Sequence, residues 1–276
     1  MEARRSRPPR HPNPDSALPL LPALLLSALL AGLGWMLRAL TAGAAATATL
    51  IGTIILSATG GAGMAVLGAF FVGASAIGRL APDPAAALGT KGQQRDSWQV
   101  LANGGSAALG ALVPEAGLWL VTASLAAAAA DSWATATGGW SRRPPRHLVT
   151  WARVAPGTSG GVTWPGTLGG VGGAFTVGIA ALLVAPRGQS LLVVAVSIGV
   201  AGMLLDSLLG ATLQGRFRCD HCGQDTERRV HQCGRSARRT GGLARLTNDG
   251  VNALATGAAA GLGWVAWRWL LPGMGS

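Results

Sequence analysis

Four aspartates that lie in or beside apolar segments are the residues of this chain best suited to chemistry. They are Asp96 in RDSWQVLANGG, Asp131 in AAAADSWAT, Asp206 in GMLLDSLLGAT and Asp249 in LTNDGVNALAT. A carboxylate in the middle of a membrane helix costs roughly 3 kcal/mol or more, and it is kept where it faces a bundle interior and a partner. The 276 residues include eleven acidic ones, so four in such places predict a buried polar site.

Helical spacing adds amide and hydroxyl groups to these aspartates. Two polar sets follow the spacing i, i+3, i+7, which puts the members of each set on one helix face: Asp96, Gln99 and Asn103, and Asp249, Asn252 and Thr256. Carboxylate, amide and hydroxyl oxygens are hard ligands that suit Mg²⁺, which keeps several waters and bridges to substrate phosphates. The residues therefore predict a Mg²⁺ site. The alternative is a set of interhelical hydrogen bonds that stabilise the bundle.

A glycine-rich segment, PGTSGGVT at 156–163, leads directly into an apolar helix, and Arg153 stands three residues ahead of it. Its glycines leave backbone N–H groups free for an anion-binding nest, the helix N-terminus adds positive potential, and two hydroxyls can donate. We predict that this segment cradles phosphate. No GK[ST] follows, so it is not a Walker A loop. The alternative is a turn that caps the membrane helix through Thr158 or Ser159.

All three cysteines lie in one loop, as Cys219-Asp-His-Cys222 followed by His231-Gln-Cys233. C-x2-C followed by H-x-C supplies four ligands within fifteen residues, which is enough for a tetrahedral structural Zn²⁺. In a cytoplasmic loop a disulfide is disfavoured, so bound metal and free thiols are the two alternatives. The arginines of the same loop are expected to contact anionic lipid. Nucleic acid is not an expected partner, despite the net charge of +11.

The elements that must position these residues are membrane helices. The chain is 49% hydrophobic and 12% charged, and a soluble protein has no means of covering so much apolar surface. Eight apolar runs, several near the ~20 residues that cross a bilayer, are Leu18–Leu37, Gly43–Ala58, Ala62–Leu80, Val100–Leu112, Gly117–Ala130, Val162–Ala185, Ser190–Leu213 and Val251–Leu271. We predict an all-α polytopic membrane helical bundle with seven or eight hydrophobic segments, some of them broken or re-entrant.

Charge distribution predicts the topology in a cell membrane. Residues 1–16 read as a basic disordered tail, and residues 17–276 as the membrane domain with a cytoplasmic Cys/Arg-rich loop at 215–246. The basic intervals 79–95, 142–153 and 216–245 are separated by pairs of apolar runs, so all three can face the cytoplasm. The tail favours that side too, yet three apolar runs precede Arg79. Either one run is re-entrant, or residues 43–80 form a single span broken near Thr59-Gly60-Gly61.

Six motifs, in this order, resemble a family of integral membrane proteins that includes plant phytyl-phosphate kinase and animal transmembrane protein 19. They are RDSWQVLANGG, ADSWAT, PGTSGGVT with GTLGG following, GMLLDSLLGATLQ, the C-x2-C…TE…H-x-CG loop, and LTNDGVNALAT. The resemblance implies transfer of the γ-phosphate of CTP or ATP to an isoprenyl monophosphate, giving an isoprenyl diphosphate. This chain departs from the family at Ala136, where a glutamate is usual, and that departure puts activity in doubt.

Together with the residues, the resemblance implies a role for each predicted site residue. The residues expected to carry catalysis and bind Mg²⁺ are Asp131, Asp206 and Asp249, helped by Asn252. The residues expected to contact phosphates or position the acceptor are Lys91, Arg95, Gln99, Asn103, Arg153, Gly157, Thr158, Ser159, Gly160 and Gly161. Two other functions are considered: a transporter or channel with an intramembrane Asp/Asn pathway, and a non-catalytic membrane scaffold.

Overall fold

The computed structural model describes residues 18–81, 94–231 and 233–270. Within these ranges it has seven helices: α1 (Leu20–Met36), α2 (Ala42–Leu80), α3 (Ser97–Ala111), α4 (Gly117–Gly138), α5 (Trp164–Val184), α6 (Gly188–Thr212) and α7 (Asn248–Leu270). Each predicted apolar run coincides with one helix or with half of α2, so the predicted all-α membrane bundle is confirmed. The basic tail and Lys91 lie outside the described residues.

Helix α2 is broken at Gly60, where φ is 64° and ψ is −157°. Its two halves, 42–59 and 61–80, fold back on each other. The Met64 methyl lies 3.7 Å from where a Cβ on Gly52 would stand, whereas about 18 Å would separate residues twelve apart along a straight helix. At the far end, Arg79 donates a hydrogen bond to the Leu37 carbonyl, just before α2 begins (2.8 Å). The break lies where it was predicted, but the expectation of a single span broken there, or of a re-entrant run, is wrong. Residues 42–80 form a tight turn between two antiparallel segments of about 27 and 30 Å, each close to the bilayer thickness.

Helix α4 is the centre of the bundle. Every residue from 119 to 130 is buried, and α2, α3, α5, α6 and α7 all pack against it. Small residues make these close approaches possible, because a Cβ on Gly202 of α6 would stand only 2.5 Å from the Ala127 Cβ. A Cβ on Gly173 of α5 would stand 2.5 Å from the Ala129 carbonyl oxygen. Association through small residues at helix contacts is typical of membrane bundles.

Two small antiparallel sheets lie outside the helices. Strand β1 (Arg146–His147) pairs with β2 (Gly161–Val162) in the loop before α5. Strands β3 (Arg216–Cys219), β4 (Asp225–Thr226) and β5 (Ala237–Gly241) form a three-stranded sheet in the order β4-β3-β5, between α6 and α7. The predicted Cys/Arg-rich loop at 215–246 is therefore a folded unit. Phe217 and Cys219 are its buried strand residues.

The loops 139–163 and 213–247 lie at one end of the bundle, called here the basic end. Gly160 of the first loop packs on Ala211 at the end of α6, and Ser159 is hydrogen-bonded to Glu227 of the second. Arg79 and Arg95 are at this end too, since Gly73 of α2 packs on Trp133 near the end of α4. The described parts of the three basic intervals thus share one end, as expected. Their cytoplasmic orientation stays a prediction.

Two antiparallel halves of α2 and the preceding α1 make three passes before Arg79. The start of α1 therefore lies at the end of the bundle opposite to the basic end. This is contrary to the expectation that the N-terminal tail shares the side of the basic loops, although the tail itself is outside the described residues. Helices α2, α5 and α6 are long and apolar enough to span a membrane, and α1 is a shorter apolar helix. The chain is a multi-pass membrane protein.

The break in α2 depends on a backbone conformation that glycine adopts readily and other residues do not. Gly60→Ala is expected to destabilise the protein by about 1–3 kcal/mol. The matched control is Gly61→Ala, because its new methyl group meets no atom within 4 Å and alanine favours helix. Thermal unfolding in detergent measures both. Equal unfolding temperatures for the two variants would contradict the assigned turn.

The fold-back also predicts which residues share a side of the membrane. A cysteine introduced at Leu18 and one introduced at exposed Thr150 are expected to react with impermeant reagents from opposite sides. Labelling is measured in sealed vesicles, above the level of the unsubstituted protein. Reaction of both positions from the same side would show that the passes before Arg79 are counted wrongly.

Candidate functional site

Four helices bring four of the predicted polar residues to one cavity. It is lined by Asn103 of α3, Asp131 of α4, Asp206 of α6 and Asn252 of α7, and we call it the polar cavity. The remaining lining residues are small or hydroxyl-bearing: Ala127, Ala128, Gly202, Ala255 and Thr256. The cavity volume is about 10 Å³, which is close to the space of a single water molecule or small ion. The predicted convergence of these motifs on one site is present in the fold.

The polar cavity is shallow with respect to the helix ends. Asn252 is four residues from the start of its helix, and Asp131 is seven residues from the end of its own. Asn103 and Asp206 are each six residues from an end. At 1.5 Å per residue these positions lie roughly 6–11 Å below the basic end. The site is therefore accessible from the loops rather than from the middle of the bilayer.

Two oxygen atoms of the polar cavity are buried without a partner. Among the described residues, neither Asp206 Oδ2 nor Asn252 Oδ1 has a hydrogen-bond partner. Asp206 also lies within electrostatic range of two further carboxylates, Asp131 and Glu227. Buried acceptors without partners, and carboxylates that lie close together, are unfavourable unless a cation balances them. Carboxylate and amide oxygens in this arrangement suit Mg²⁺.

Asp249 is not among the residues that line the polar cavity. It lies in the first turn of α7, three residues before Asn252. Within the described residues, the side chains whose possible metal-ligand atoms all lie within 4.8 Å of one another are Cys219, Cys222, His231 and Cys233. The three aspartates do not form such a set, so direct ligation by all three stays a prediction.

Asp96 and Arg95 have structural contacts at the start of α3. Asp96 is the N-cap, and its side chain accepts a hydrogen bond from the Gln99 N–H (2.9 Å). The Arg95 guanidinium lies over the rings of Phe70 and Phe71, 5.6 and 5.7 Å from their centroids. Burial lowers the pKa of Arg95 to about 10, so it remains charged at neutral pH. These cation–π contacts fix α3 against α2, and the structure does not place Arg95 in the polar cavity.

The glycine segment is a folded turn that packs on the end of α6 just beyond Asp206, and we call this region the mouth of the site. Gly160, at φ +76°, packs so closely that a Cβ there would stand 2.4 Å from the Ala211 Cβ. The N–H groups of Thr158 and Gly161 already donate to Ala155 and Thr158 carbonyls, so two donors of the predicted nest are occupied. Thr158 Oγ1 donates to the Ala155 carbonyl as well (2.8 Å).

The alternative interpretation of this segment, a helix cap at Thr158 or Ser159, is wrong. The cap of α5 is Thr163, whose hydroxyl accepts from the Gly166 N–H (3.1 Å). Ser159 instead donates a hydrogen bond to the Glu227 carboxylate. Exposed Gly157, at φ +83°, and exposed Arg153 are the outermost predicted phosphate contacts.

Sequence reasoning missed two residues at this mouth, Glu227 and Gln214. Glu227 follows β4, where no helical periodicity indicates the direction of its side chain. Gln214 is almost fully buried and its Nε2 has no partner among the described residues. Its Oε1 lies 3.5 Å from where a Cβ on Gly210 would stand, beside Ser159. Gln214 could have been identified from the sequence by helical spacing, because it follows Asp206 and Gly210 at i, i+4 and i+8.

Ala136 lies away from the carboxylates. Five residues of α-helix place it about 140° around α4 from Asp131, so a glutamate here would leave the helix on a different face. Glu227 reaches the neighbourhood of Asp206 from a loop instead. The doubt raised by Ala136 therefore does not extend to the set of acidic groups at the polar cavity.

The four predicted Zn²⁺ ligands lie together in the three-stranded sheet. Cys219 Sγ is 3.5 Å from Cys233 Sγ, and His231 Nδ1 is 3.4 Å from Cys222 Sγ and 3.2 Å from Cys233 Sγ. All three cysteines are free thiols. A hydrogen bond from the Cys222 backbone N–H lowers the pKa of Cys219 to about 7. Thiolate is the form that binds metal, so this donor set fits Zn²⁺.

Two known proteins are similar to parts of this chain. It is 33% identical to Protein PGR of Arabidopsis thaliana over 133 residues, which make up 44% of this chain and 45% of that protein. It is 31% identical over 170 residues to an uncharacterized membrane protein of Methanocaldococcus jannaschii, covering 60% of this chain and 71% of that one. The chain thus matches less than half the length of Protein PGR. No solved structure matches significantly.

The family profile of integral membrane protein DUF92 matches residues 25–260. That range includes the polar cavity, the glycine segment and the Cys/His loop, so the family resemblance expected from the six motifs is confirmed. More than half of the chain is covered by the match. The chain therefore belongs to the integral membrane family DUF92.

Proposed function

We propose that this protein is a Mg²⁺-dependent isoprenyl-phosphate kinase, which uses CTP or ATP to form an isoprenyl diphosphate. The observation that carries the proposal is the convergence of Asp131, Asp206, Asn103 and Asn252 in the polar cavity. The two buried oxygens without partners, Asp206 Oδ2 and Asn252 Oδ1, support it. The polar groups at the mouth of the cavity support it as well. The six motifs shared with the family of plant phytyl-phosphate kinase make an isoprenyl monophosphate the favoured acceptor.

Phosphoryl transfer to a phosphate acceptor requires alignment and charge neutralisation rather than a strong base. The γ-phosphorus forms a bond to an oxygen of the acceptor phosphate while its bond to the β–γ bridging oxygen breaks, and the nucleoside diphosphate leaves. An ionised acceptor phosphate has no proton to lose, so positioning and electrostatic stabilisation provide most of the catalysis. Bound Mg²⁺ would supply positive charge to the transferring phosphoryl group.

The residues that would align the substrates and neutralise their charge lie at different depths in the bundle. Asp131, Asp206 and Asn252 would hold Mg²⁺, with Asp249 one turn nearer the loops. Buried Asn103 offers an amide donor from the wall formed by α3. At 10 Å³ the polar cavity admits an ion but not a nucleotide, so both phosphate groups would bind above it.

The mouth of the polar cavity provides the groups that would contact these phosphates. The glycine segment and Arg153 lie at the basic end, together with the buried Gln214 amide. Arg95 and Gln99 would act from the start of α3, with Arg95 restrained by Phe70 and Phe71. Lys91, which lies outside the described residues, is proposed as a phosphate contact from the sequence alone. A lipid acceptor could keep its chain in the bilayer while its phosphate reaches this level, because the site is only about 6–11 Å below the helix ends.

A channel or transporter is less favoured by the packing below the polar cavity. Residues 119–130 of α4 are buried against neighbouring helices, and half of them are alanine. Close contacts of Gly199 and Gly202 with Ala126 and Ala127 leave little room for a polar path toward the other end. A purely structural scaffold would not explain why the buried oxygens of Asp206 and Asn252 lack partners.

The kinase proposal predicts that Asp206→Asn abolishes turnover. Purified protein is incubated with Mg²⁺, radiolabelled CTP or ATP, and phytyl, geranylgeranyl or undecaprenyl monophosphate. We expect wild-type protein to form a diphosphate, and Asp206→Asn to lower the rate by roughly 100-fold or more, since a charge that stabilises the transition state is lost.

Asp96→Asn is the matched control. Asparagine caps a helix as well as aspartate does, so this variant makes the same chemical change at the same end of the bundle and should keep its activity. If wild-type protein forms no diphosphate from any of the three acceptors, the kinase proposal is wrong. Equal losses in the two variants would mean that Asp206 has no special role.

A further inference from the structure

The possible ligand atoms of Cys219, Cys222, His231 and Cys233 all lie within 4.8 Å of one another. The three measured S···S and S···N distances are 3.2–3.5 Å, and the edges of a Zn²⁺ tetrahedron with two such ligands are about 3.6–3.8 Å. Small inward or outward shifts would therefore complete the coordination. Gly223, at φ +67°, closes the turn between the first two cysteines. Gly234, at φ +76°, follows the last.

The sheet that carries these ligands is too small to be stable on its own. Its strands have four, two and five residues, and its buried strand side chains are those of Phe217 and Cys219. A three-stranded sheet without an apolar face is only marginally stable in water. Small units of this kind are commonly stabilised by a structural metal, whose binding free energy is then part of the folding free energy.

The sheet brings Glu227 to the mouth of the polar cavity. Glu227 comes directly after β4, and β4 pairs with β3, which ends at Cys219. Its Oε1 accepts a hydrogen bond from Ser159 Oγ, and its charge acts on Asp206. The loop therefore contributes a third carboxylate to a site whose other two are on α4 and α6.

An independent observation indicates that a cation belongs among these carboxylates. Asn252 is 7% exposed and lines the polar cavity, and its Oδ1 has no partner within the described residues. An amide oxygen buried in this way accepts from a donor or binds a cation. The neighbouring Asp206 Oδ2 is also without a partner, so a cation would satisfy both atoms.

We propose that Cys219, Cys222, His231 and Cys233 bind one Zn²⁺, and that this ion acts as a structural clamp that positions Glu227 as a third carboxylate at the mouth of the polar cavity. The inference rests on the proposed function for the Mg²⁺ at that cavity, and it adds a positioning role for the loop. The zinc ion takes no part in the chemistry. Its effect passes through β3, β4 and the contact between Glu227 and Ser159.

The zinc part predicts about one Zn²⁺ per chain in purified protein, measured by elemental analysis. Cys222→Ser should lose most of it, because three ligands hold the ion less tightly than four. His221→Ala is the matched control, since His221 lies between the two cysteines but is not one of the converging ligands. Zinc content that is absent in wild type, or equal in Cys222→Ser and wild type, overturns this part.

The positioning part predicts that Glu227 supports the divalent cation of the polar cavity. Mn²⁺ bound to nucleotide-loaded protein, read by electron paramagnetic resonance, replaces Mg²⁺ as the probe. Glu227→Gln should weaken Mn²⁺ binding about 10-fold and keep its Zn²⁺. Asp225→Asn, an exposed acid in the same sheet, should change neither.

Coupling between the two metals is tested by removing zinc with a chelator. Zinc-free wild-type protein should lose as much Mn²⁺ affinity as Glu227→Gln, and zinc removal from Glu227→Gln should cause no further loss, because both act through one contact. Hydrogen exchange of residues 157–163 should rise on zinc removal, since Ser159 then loses Glu227 as its partner. It should stay low in Glu227→Gln, whose amide oxygen still accepts from Ser159 Oγ. Additive losses, or exchange that zinc removal leaves unchanged, would show that zinc does not act through Glu227.

These outcomes separate the inference from the kinase proposal. Coupled Mn²⁺ binding without diphosphate formation would remove the kinase and leave the clamp. Turnover that is insensitive to Glu227→Gln and to zinc removal would remove the clamp and leave the kinase. A wild-type protein that binds no Mn²⁺ would contradict both the metal site and the role of Glu227.

Discussion

The placement of two half-buried carboxylates in an apolar bundle is the constraint on which the rest of the structure depends. Asp131 and Asp206 are tolerated because α4 and α6 meet through alanine and glycine, so that Asn103 and Asn252 can face them from α3 and α7. Larger side chains at Ala127 or Gly202 would separate α4 from α6 and expose the polar groups to lipid. The alanine-rich sequence of α4 thus serves the site as much as the bundle, since close approach is what gives the carboxylates their neighbours.

The helices and the convergence of the motifs could be predicted from the sequence because both depend on local patterns. Apolar runs indicate spans, and the i, i+3, i+7 spacing correctly placed Asn103 and Asn252 on inward faces. The same spacing could not distinguish a cap from a site residue, since Asp96 accepts from the Gln99 N–H at the beginning of its helix. The number of passes before Arg79 depended on one backbone conformation at Gly60, which a run of apolar residues does not encode.

Residues on loops were beyond such reasoning for a physical reason. The position of Glu227 is determined by the pairing of β3 with β4 and by the turn at Cys219–Cys222, and neither has a periodic signal. The absence of a glutamate at 136 was the sequence feature that most weakened the case for an enzyme. In the fold, position 136 lies about 140° around α4 from Asp131, and the additional carboxylate near Asp206 comes from the Cys/His loop. A motif departure is therefore informative only when the direction of its side chain is known.

The site is built from two parts with different sources of rigidity. Below, the helices hold Asp131 and Asp206 through close packing, which requires no ligand. Above, a small sheet with Phe217 and Cys219 as its buried strand residues holds Glu227, and the structure provides a donor set for metal where an apolar core is lacking. Under the proposed function the phosphate groups would bind beside this upper part. A loop whose order depended on a bound ion would then be both firm enough to position a carboxylate and separate enough from the bundle to leave room for them.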